Sequence, residues 1–255
     1  MQTLEIEYKD TFAILKLKRG KANAMNAVMI NELLEVLLQF RTDDRVKGVI
    51  LTGNPGLFTA GLDVVELYNY NEAQMLEFWK MFARLVRRMV SFPKPFIAAI
   101  SGHSPAGGCV MALSCDYRIM AEGDFYIGLN EVPFGIVVPD TIFNLYAFVV
   151  GKQAAYKYLL EGKLLHTTEA LSSGLVDELV PIDKVMEAAE KQMQKFLNLP
   201  QGVWMQSKLN FKAGLLQTLN TDNNPSFEQT VKYWWAAETR QLMKSIIQSL
   251  GKSVD

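Results

Sequence analysis

Two segments of this chain share one plan: a short apolar run leads into a turn of small residues, and the turn opens a helix. Val49-Ile50-Leu51 precedes Leu57-Phe58-Thr59-Ala60-Gly61-Leu62-Asp63. Phe96-Ile97-Ala98-Ala99-Ile100, ending in Ser101-Gly102, precedes His103-Ser104-Pro105-Ala106-Gly107-Gly108. A helix opened in this way leaves its first backbone N–H groups unpaired and facing whatever docks there. Small residues let a ligand oxygen approach the main chain, and the helix dipole favours negative charge at that end. Either turn alone also fits an ordinary tight turn, whereas the two together have the makings of an oxyanion hole.

The rest of the chain continues the alternation. Leu4 to Tyr8 and Phe12 to Leu17 alternate as strands around Lys9-Asp10, which reads as a hairpin. Asn26 is placed to cap a helix, and Met29, Leu33, Leu34, Val36, Leu37 and Phe40 follow helical spacing from Val28 to Phe40. A long amphipathic helix is expected from about Glu72 to Val90 and a short one from about Ala106 to Leu113. Strands follow at Tyr117 to Met120 and Phe125 to Ile127. Strands alternating with helices through about residue 190 indicate an α/β core whose strand ends feed ligand-binding loops. From about Lys184 the pattern is almost wholly helical, so residues 1–190 read as the core and 191–255 as a helical region. Trp204, Phe211, Phe227, Tyr233, Trp234 and Trp235 in that region suit either an oligomer interface or packing on the chain's own core.

Composition narrows the function classes. The chain has 255 residues, 49% of them hydrophobic, enough to bury a substantial core. Its 26 Lys+Arg against 27 Asp+Glu give no basic field for nucleic acid. Arg84, Arg87 and Arg88 share a helix face, but Glu77 and Lys80 beside them suit a solvated or interface face. Cys109 and Cys115 read as buried and reduced, with no metal-ligand spacing. Charges interrupt every apolar stretch, so no membrane span is expected, and the first residues lack a signal peptide's pattern. A cytoplasmic location is the default expectation.

The chain resembles the enoyl-CoA hydratase/isomerase (crotonase) superfamily over roughly residues 4 to 215. The segments that carry this are Lys21-Ala22-Asn23-Ala24-Met25-Asn26, the two glycine turns, Cys115-Asp116-Tyr117-Arg118 and Ala170-Leu171-Ser172-Ser173-Gly174-Leu175-Val176-Asp177, in family order. The resemblance implies a spiral of ββα repeats, a helical trimerisation region giving a homotrimer or a dimer of trimers, and an acyl-coenzyme A thioester as substrate, with no permanently bound cofactor. It also implies that the backbone N–H groups of Leu62 and Gly107 are the oxyanion donors. Lys21, Ala22 and Ala24 match the loop along the nucleotide and pantetheine, and Ala60 and Leu62 match main-chain contacts on the adenine side.

Family hydratases hold two glutamates over C2 and C3 of the acyl chain. Here the first position is Val110, which can neither orient a water nor hand it a proton. The second is retained as Glu131, in Gly128-Leu129-Asn130-Glu131. One carboxylate can still take a C2 proton and return it to C4, the pattern of the family's mitochondrial-type Δ3,Δ2-enoyl-CoA isomerases. Apolar neighbours Ile127, Val132, Phe134 and Val137 should raise the pKa of Glu131. The alternatives are another single-base reaction on an acyl-CoA, such as decarboxylation, weak hydration or dienoyl-CoA isomerisation, and a non-catalytic RNA-binding homologue. Dienoyl-CoA isomerases carry acidic residues at the positions of Val110 and Pro139; Asp140 lies one place off the second.

Of the remaining polar residues, Asp63 suits opening a helix and Asp116 suits pairing with Arg118, so neither joins the catalytic set. His103 and His166 have no triad partner at motif spacing, and His103 is a candidate for the CoA channel. Leu67, Tyr68, Trp79, Phe134 and Phe143 are candidate walls for the acyl pocket.

Overall fold

The computed structural model describes residues 1–220 and 224–253; positions 221–223, 254 and 255 of the expected helical region lie outside the described residues. β1 (Leu4–Tyr8) and β2 (Ala13–Leu17) form the antiparallel hairpin, with Leu4 opposite Leu17. α1 (Ala27–Thr42) begins where the Asn26 side chain accepts from the Met29 N–H at 3.1 Å. A repeating unit follows, made of one strand, a sharp corner, a second strand and a helical segment. β3 (Val49–Thr52) and β4 (Gly56–Leu57) lead to α2 (Val64–Tyr68) and α3 (Glu72–Val90). β5 (Phe96–Ile100) and β6 (Gly102–Pro105) lead to α4 (Gly107–Ser114). β7 (Tyr117–Ala121) and β8 (Tyr126–Gly128) lead through a single 3-10 turn at Val132–Phe134 to α5 (Asp140–Val150) and α6 (Lys152–Glu161).

Each unit gives its first strand to one sheet and its second to another. With β9 (Leu164–His166), α7 (Thr167–Ser172) and β10 (Glu178–Val180) added, the large sheet has the order β1-β2-β3-β5-β7-β10 and the small one β4-β6-β8-β9. This is the α/β core expected from the alternation of elements, wound in the spiral of ββα repeats that the family resemblance implies. The glycines at the corners are there for contact: a β-carbon at Gly102 would stand 2.1 Å from the Gly56 carbonyl carbon.

Strand alternation divides the core. Ile14, Ile50, Ile97 and Ile119 face α8 (Val185–Leu197), which covers the back of the large sheet with Val185, Ala189 and Met193. Leu15, Leu51, Ala98 and Met120 face the main core under α1, α3 and α4. Position 190, where the sequence reading divides core from helical region, falls within α8.

α9 (Gln201–Phe211), α10 (Ala213–Thr218), α11 (Pro225–Tyr233) and α12 (Ala237–Ser249) complete the chain. Its aromatics divide between the two readings of the tail. Phe227 and Trp234 are buried, Trp234 edge-on to Trp79 at 6.4 Å, whereas Phe211 is 77% exposed. Trp234 therefore anchors the tail on the chain's own α3. Among the described residues no helix is long and apolar enough to cross a membrane.

Candidate active site

Three parallel neighbours in the small sheet, β4, β6 and β8, end at one edge. Each delivers a segment singled out from the sequence: the Phe58–Asp63 turn, the Ala106–Gly108 turn and the loop bearing Glu131. Loops at the carboxyl ends of parallel strands are where α/β proteins bind ligands.

The two turns touch. A β-carbon at Gly61, where φ is +89°, would stand 2.9 Å from the Ala106 β-carbon and 3.2 Å from the Gly107 nitrogen. A β-carbon at Gly108 would lie 2.9 Å from the Thr59 methyl. Main-chain bonding then directs the donors. Met25 pairs with the residues flanking Leu62, giving its N–H to the Gly61 carbonyl at 2.8 Å and accepting from the Asp63 N–H at 2.9 Å. That parallel bridge turns the Leu62 N–H away from Met25. Gly107 is the first residue of α4, so its N–H has no intrahelical acceptor. Among the described residues neither N–H has a hydrogen-bond acceptor. Ala106 holds φ +52° and ψ −125°, a backbone state costly for a residue with a β-carbon.

The Ala106 N–H donates to the Gly128 carbonyl at 2.8 Å, which ties the second turn to β8 three residues before Glu131. The Glu131 main chain is fixed by bonds to its carbonyl from Phe134 and Ile136 at 2.9 and 3.0 Å. Its side chain is half-buried, and its Oε2 is fully buried without a hydrogen-bond partner. Burial pushes its carboxyl up to about 7 from 4.5. Val110 is buried in α4, at the first hydratase position.

Lys21, Ala22 and Ala60 are exposed, while Ala24 and Leu62 are half-buried. One local network brings them together: the Ala60 N–H donates to the Ala22 carbonyl at 2.9 Å, and Arg19 reaches the Ala24 carbonyl at 2.7 Å and the Asp63 carboxylate at 2.6 Å. Asn23, buried with φ +47°, accepts through its carbonyl from the Thr59 hydroxyl at 2.7 Å. The segment from Arg19 to Met25 and the first glycine turn are thus one hydrogen-bonded body.

With this geometry, comparison with known proteins is decisive, because residues 7–248 match the model for enoyl-CoA hydratase/isomerase. The chain belongs to the enoyl-CoA hydratase/isomerase family. It is 42% identical over 199 residues to mitochondrial enoyl-CoA delta isomerase 1 of Rattus norvegicus, spanning 77% of this chain and 69% of that protein. The Homo sapiens protein of the same name is 32% identical over 223 residues, spanning 87% and 74%. The crystal structure of human mitochondrial delta3-delta2-enoyl-CoA isomerase matches with a TM-score of 0.94 at 29% identity, covering 98% of each chain.

The structure also places the other polar side chains singled out in the sequence of this enoyl-CoA hydratase/isomerase family member. Asp63 does cap α2, accepting from the Glu66 N–H at 3.1 Å. Asp116 does not pair with Arg118. It is gripped by Lys208 at 2.6 Å and Lys212 at 2.8 Å, and Arg118 pairs with Asp177 at 2.6 Å. His103 sits in an aromatic row across the small sheet, parallel to Tyr126 at 5.9 Å, with its Nδ1 accepting from the Tyr126 N–H at 3.2 Å. Arg84 pairs with Glu77 at 3.6 Å.

An apolar cavity of about 560 Å³ begins at Val132, the residue after Glu131. Its walls include Val132, Ile136, Val138, Phe143, Leu159 and Leu242. Of the candidate walls read from the sequence only Phe143 lines it; Leu67 and Tyr68 are buried in the core, and Trp79 borders a separate void of about 20 Å³. The cavity's other walls come from segment 132–138, α6 and α12, with no shared spacing that marks them as one surface.

Proposed function

We propose that this protein is a Δ3,Δ2-enoyl-CoA isomerase, and the observation that carries this reading is the buried, unpartnered Oε2 of Glu131, together with an apolar Val110 where family hydratases hold their first glutamate. The thioester oxygen of a 3-enoyl-CoA accepts from the Leu62 and Gly107 N–H groups. Charge develops on that oxygen as a C2 proton leaves, and each such donor contributes on the order of 3 kcal/mol to the barrier reduction. Glu131, as carboxylate, takes the proton. The negative charge spreads from the enolate oxygen through C2 to C4, and the same carboxyl returns the proton at C4, leaving the double bond between C2 and C3. With one acid/base group, both transfers occur on one face of the acyl chain.

The hydratase alternative needs a second group to activate water, and Val110 supplies none. The apolar cavity next to Glu131 gives the acyl chain a place out of water. The exposed Lys21, Ala22 and Ala60 edge suits the polar coenzyme A portion, and the homotrimer implied by the resemblance belongs to the same reading. Incubation with 3-enoyl-, 2-enoyl- and malonyl-type CoA thioesters, with products identified by mass and absorbance, tests it. Conversion of the 3-enoyl thioester alone is expected; hydration of crotonyl-CoA at hydratase-like rates would contradict it.

A further inference from the structure

Two consecutive residues of α12 hold the two halves of the site. The Thr239 hydroxyl donates to the Gly135 carbonyl at 2.8 Å, across 104 positions of sequence. Gly135 ends the 3-10 turn that follows Glu131, and it has φ +73°. It lies so close to α12 that a β-carbon there would stand 3.1 Å from the Thr239 α-carbon and 3.1 Å from the Leu242 Cδ1. Arg240 Nη1 donates to the Tyr68 carbonyl at 2.9 Å, across 172 positions. Its guanidinium carbon lies 3.4 Å above the centre of the Tyr68 ring and 5.1 Å from that of Trp235.

Tyr68 is the last residue of α2, whose cap Asp63 directly follows the oxyanion donor Leu62. The short helix is held at both ends: its start is bonded to Met25 and Arg19, and its end to Arg240. One end of α12 is therefore fixed to the base loop through Thr239 and to the oxyanion helix through Arg240. A five-residue helix and a 3-10 turn have little stability of their own.

We propose that Thr239 and Arg240 are positioning residues that set Glu131 relative to the Leu62 N–H, with α12 as the rigid bar between them. This rests on the isomerase reading for its kinetic consequence, but the coupling itself is a property of the fold. Neither side chain is required to touch the reacting atoms. Displacements below about 1 Å between a base and an oxyanion hole are enough to cost up to about a hundredfold in rate.

The experiment compares Thr239→Val, Thr239→Ser, Arg240→Gln and Arg240→Lys with wild type. For a 3-enoyl-CoA, Thr239→Val and Arg240→Gln should lower kcat by roughly ten- to a hundredfold, and Arg240→Gln, which unlike Thr239 lies outside the lining of the apolar cavity, should leave the Kd of a saturated acyl-CoA within about threefold. Thr239→Ser keeps the donor and should restore kcat. Arg240→Lys keeps charge and an N–H but loses the planar stack, and should fall between. Amide hydrogen exchange, read without substrate, is the second arm. Thr239→Val and Arg240→Gln should each speed exchange in both segments 62–68 and 131–138. Unchanged kcat in both variants, or exchange that rises only on the side each residue touches, would overturn the proposal. A wild type that does not isomerise 3-enoyl-CoA sinks the functional reading and leaves the exchange arm to decide this one.

Discussion

The Ala106 N–H and the Gly128 carbonyl, 2.8 Å apart, form the bond that registers the second glycine turn against the loop bearing Glu131. Gly107 is the next residue on one side and Glu131 lies three residues on from the other, so a slip between β6 and β8 would move Gly107 and Glu131 apart. The parallel pairing of Pro105 with Gly128 holds the same register.

The raised pKa of Glu131 predicts the pH–rate profile. A general base acts only when ionised, and its carboxyl is pushed up to about 7 by burial. The kcat/KM for isomerisation should therefore fall about tenfold per pH unit below about 7 and level off above it. A flat profile down to pH 5 would contradict the assignment.

The same shift has a stability consequence of opposite sense. Glu131 has a folded-state pKa raised above its ordinary 4.5, so its neutral form is favoured by folding. The stability it contributes is full below pH 4.5 and lost as pH rises to about 7. Glu131→Gln, neutral throughout, should be more stable than wild type at pH 8 by on the order of 2 kcal/mol, after allowing for the residue's partial exposure. At pH 4.5 the difference should be small. Urea denaturation at the two pH values reads it.

Gly61→Ala should disable the oxyanion hole. The new methyl meets the Ala106 β-carbon at 2.9 Å in a backbone with φ +89°, and relief separates the turns carrying Leu62 and Gly107. We expect kcat to fall on the order of a hundredfold or more, with thermal stability reduced as well. Stopped assays at 25 °C on protein checked for native circular dichroism separate the two effects.

Asp116→Asn should be strongly destabilising without entering the chemistry. It removes the carboxylate between Lys208 and Lys212, both in contact with it and both largely buried. Stranding two such cations costs about 3–5 kcal/mol. Denaturant titration measures it, and per-molecule kcat of the folded fraction should be unchanged.

How much of this was legible beforehand follows from the range of each interaction. The strands, the Asn26 cap and the long helix over Glu72 to Val90 are set by neighbours within a few residues, and periodicity reports them. The turns at Gly61 and Gly107 were legible for the same reason. The partner of Asp116 was not, because Arg118 is near in sequence whereas Lys208 and Lys212 come from 92 and 96 positions away. The apolar cavity was not either: its walls run from Val132 to Leu242 and become one surface only when α12 folds back. Thr239 and Arg240 belong to no motif, and only their contacts to Gly135 and Tyr68 distinguish them.

In the proposed reaction one carboxylate, Glu131, moves a proton across an enolate held by Leu62 and Gly107. Its most direct test is the conversion of 3-enoyl-CoA to 2-enoyl-CoA by wild type and Glu131→Gln, with saturated acyl-CoA affinity measured on both. Turnover by the wild type, with activity lost and affinity kept in the variant, is the predicted result. Near-normal turnover in Glu131→Gln would contradict it.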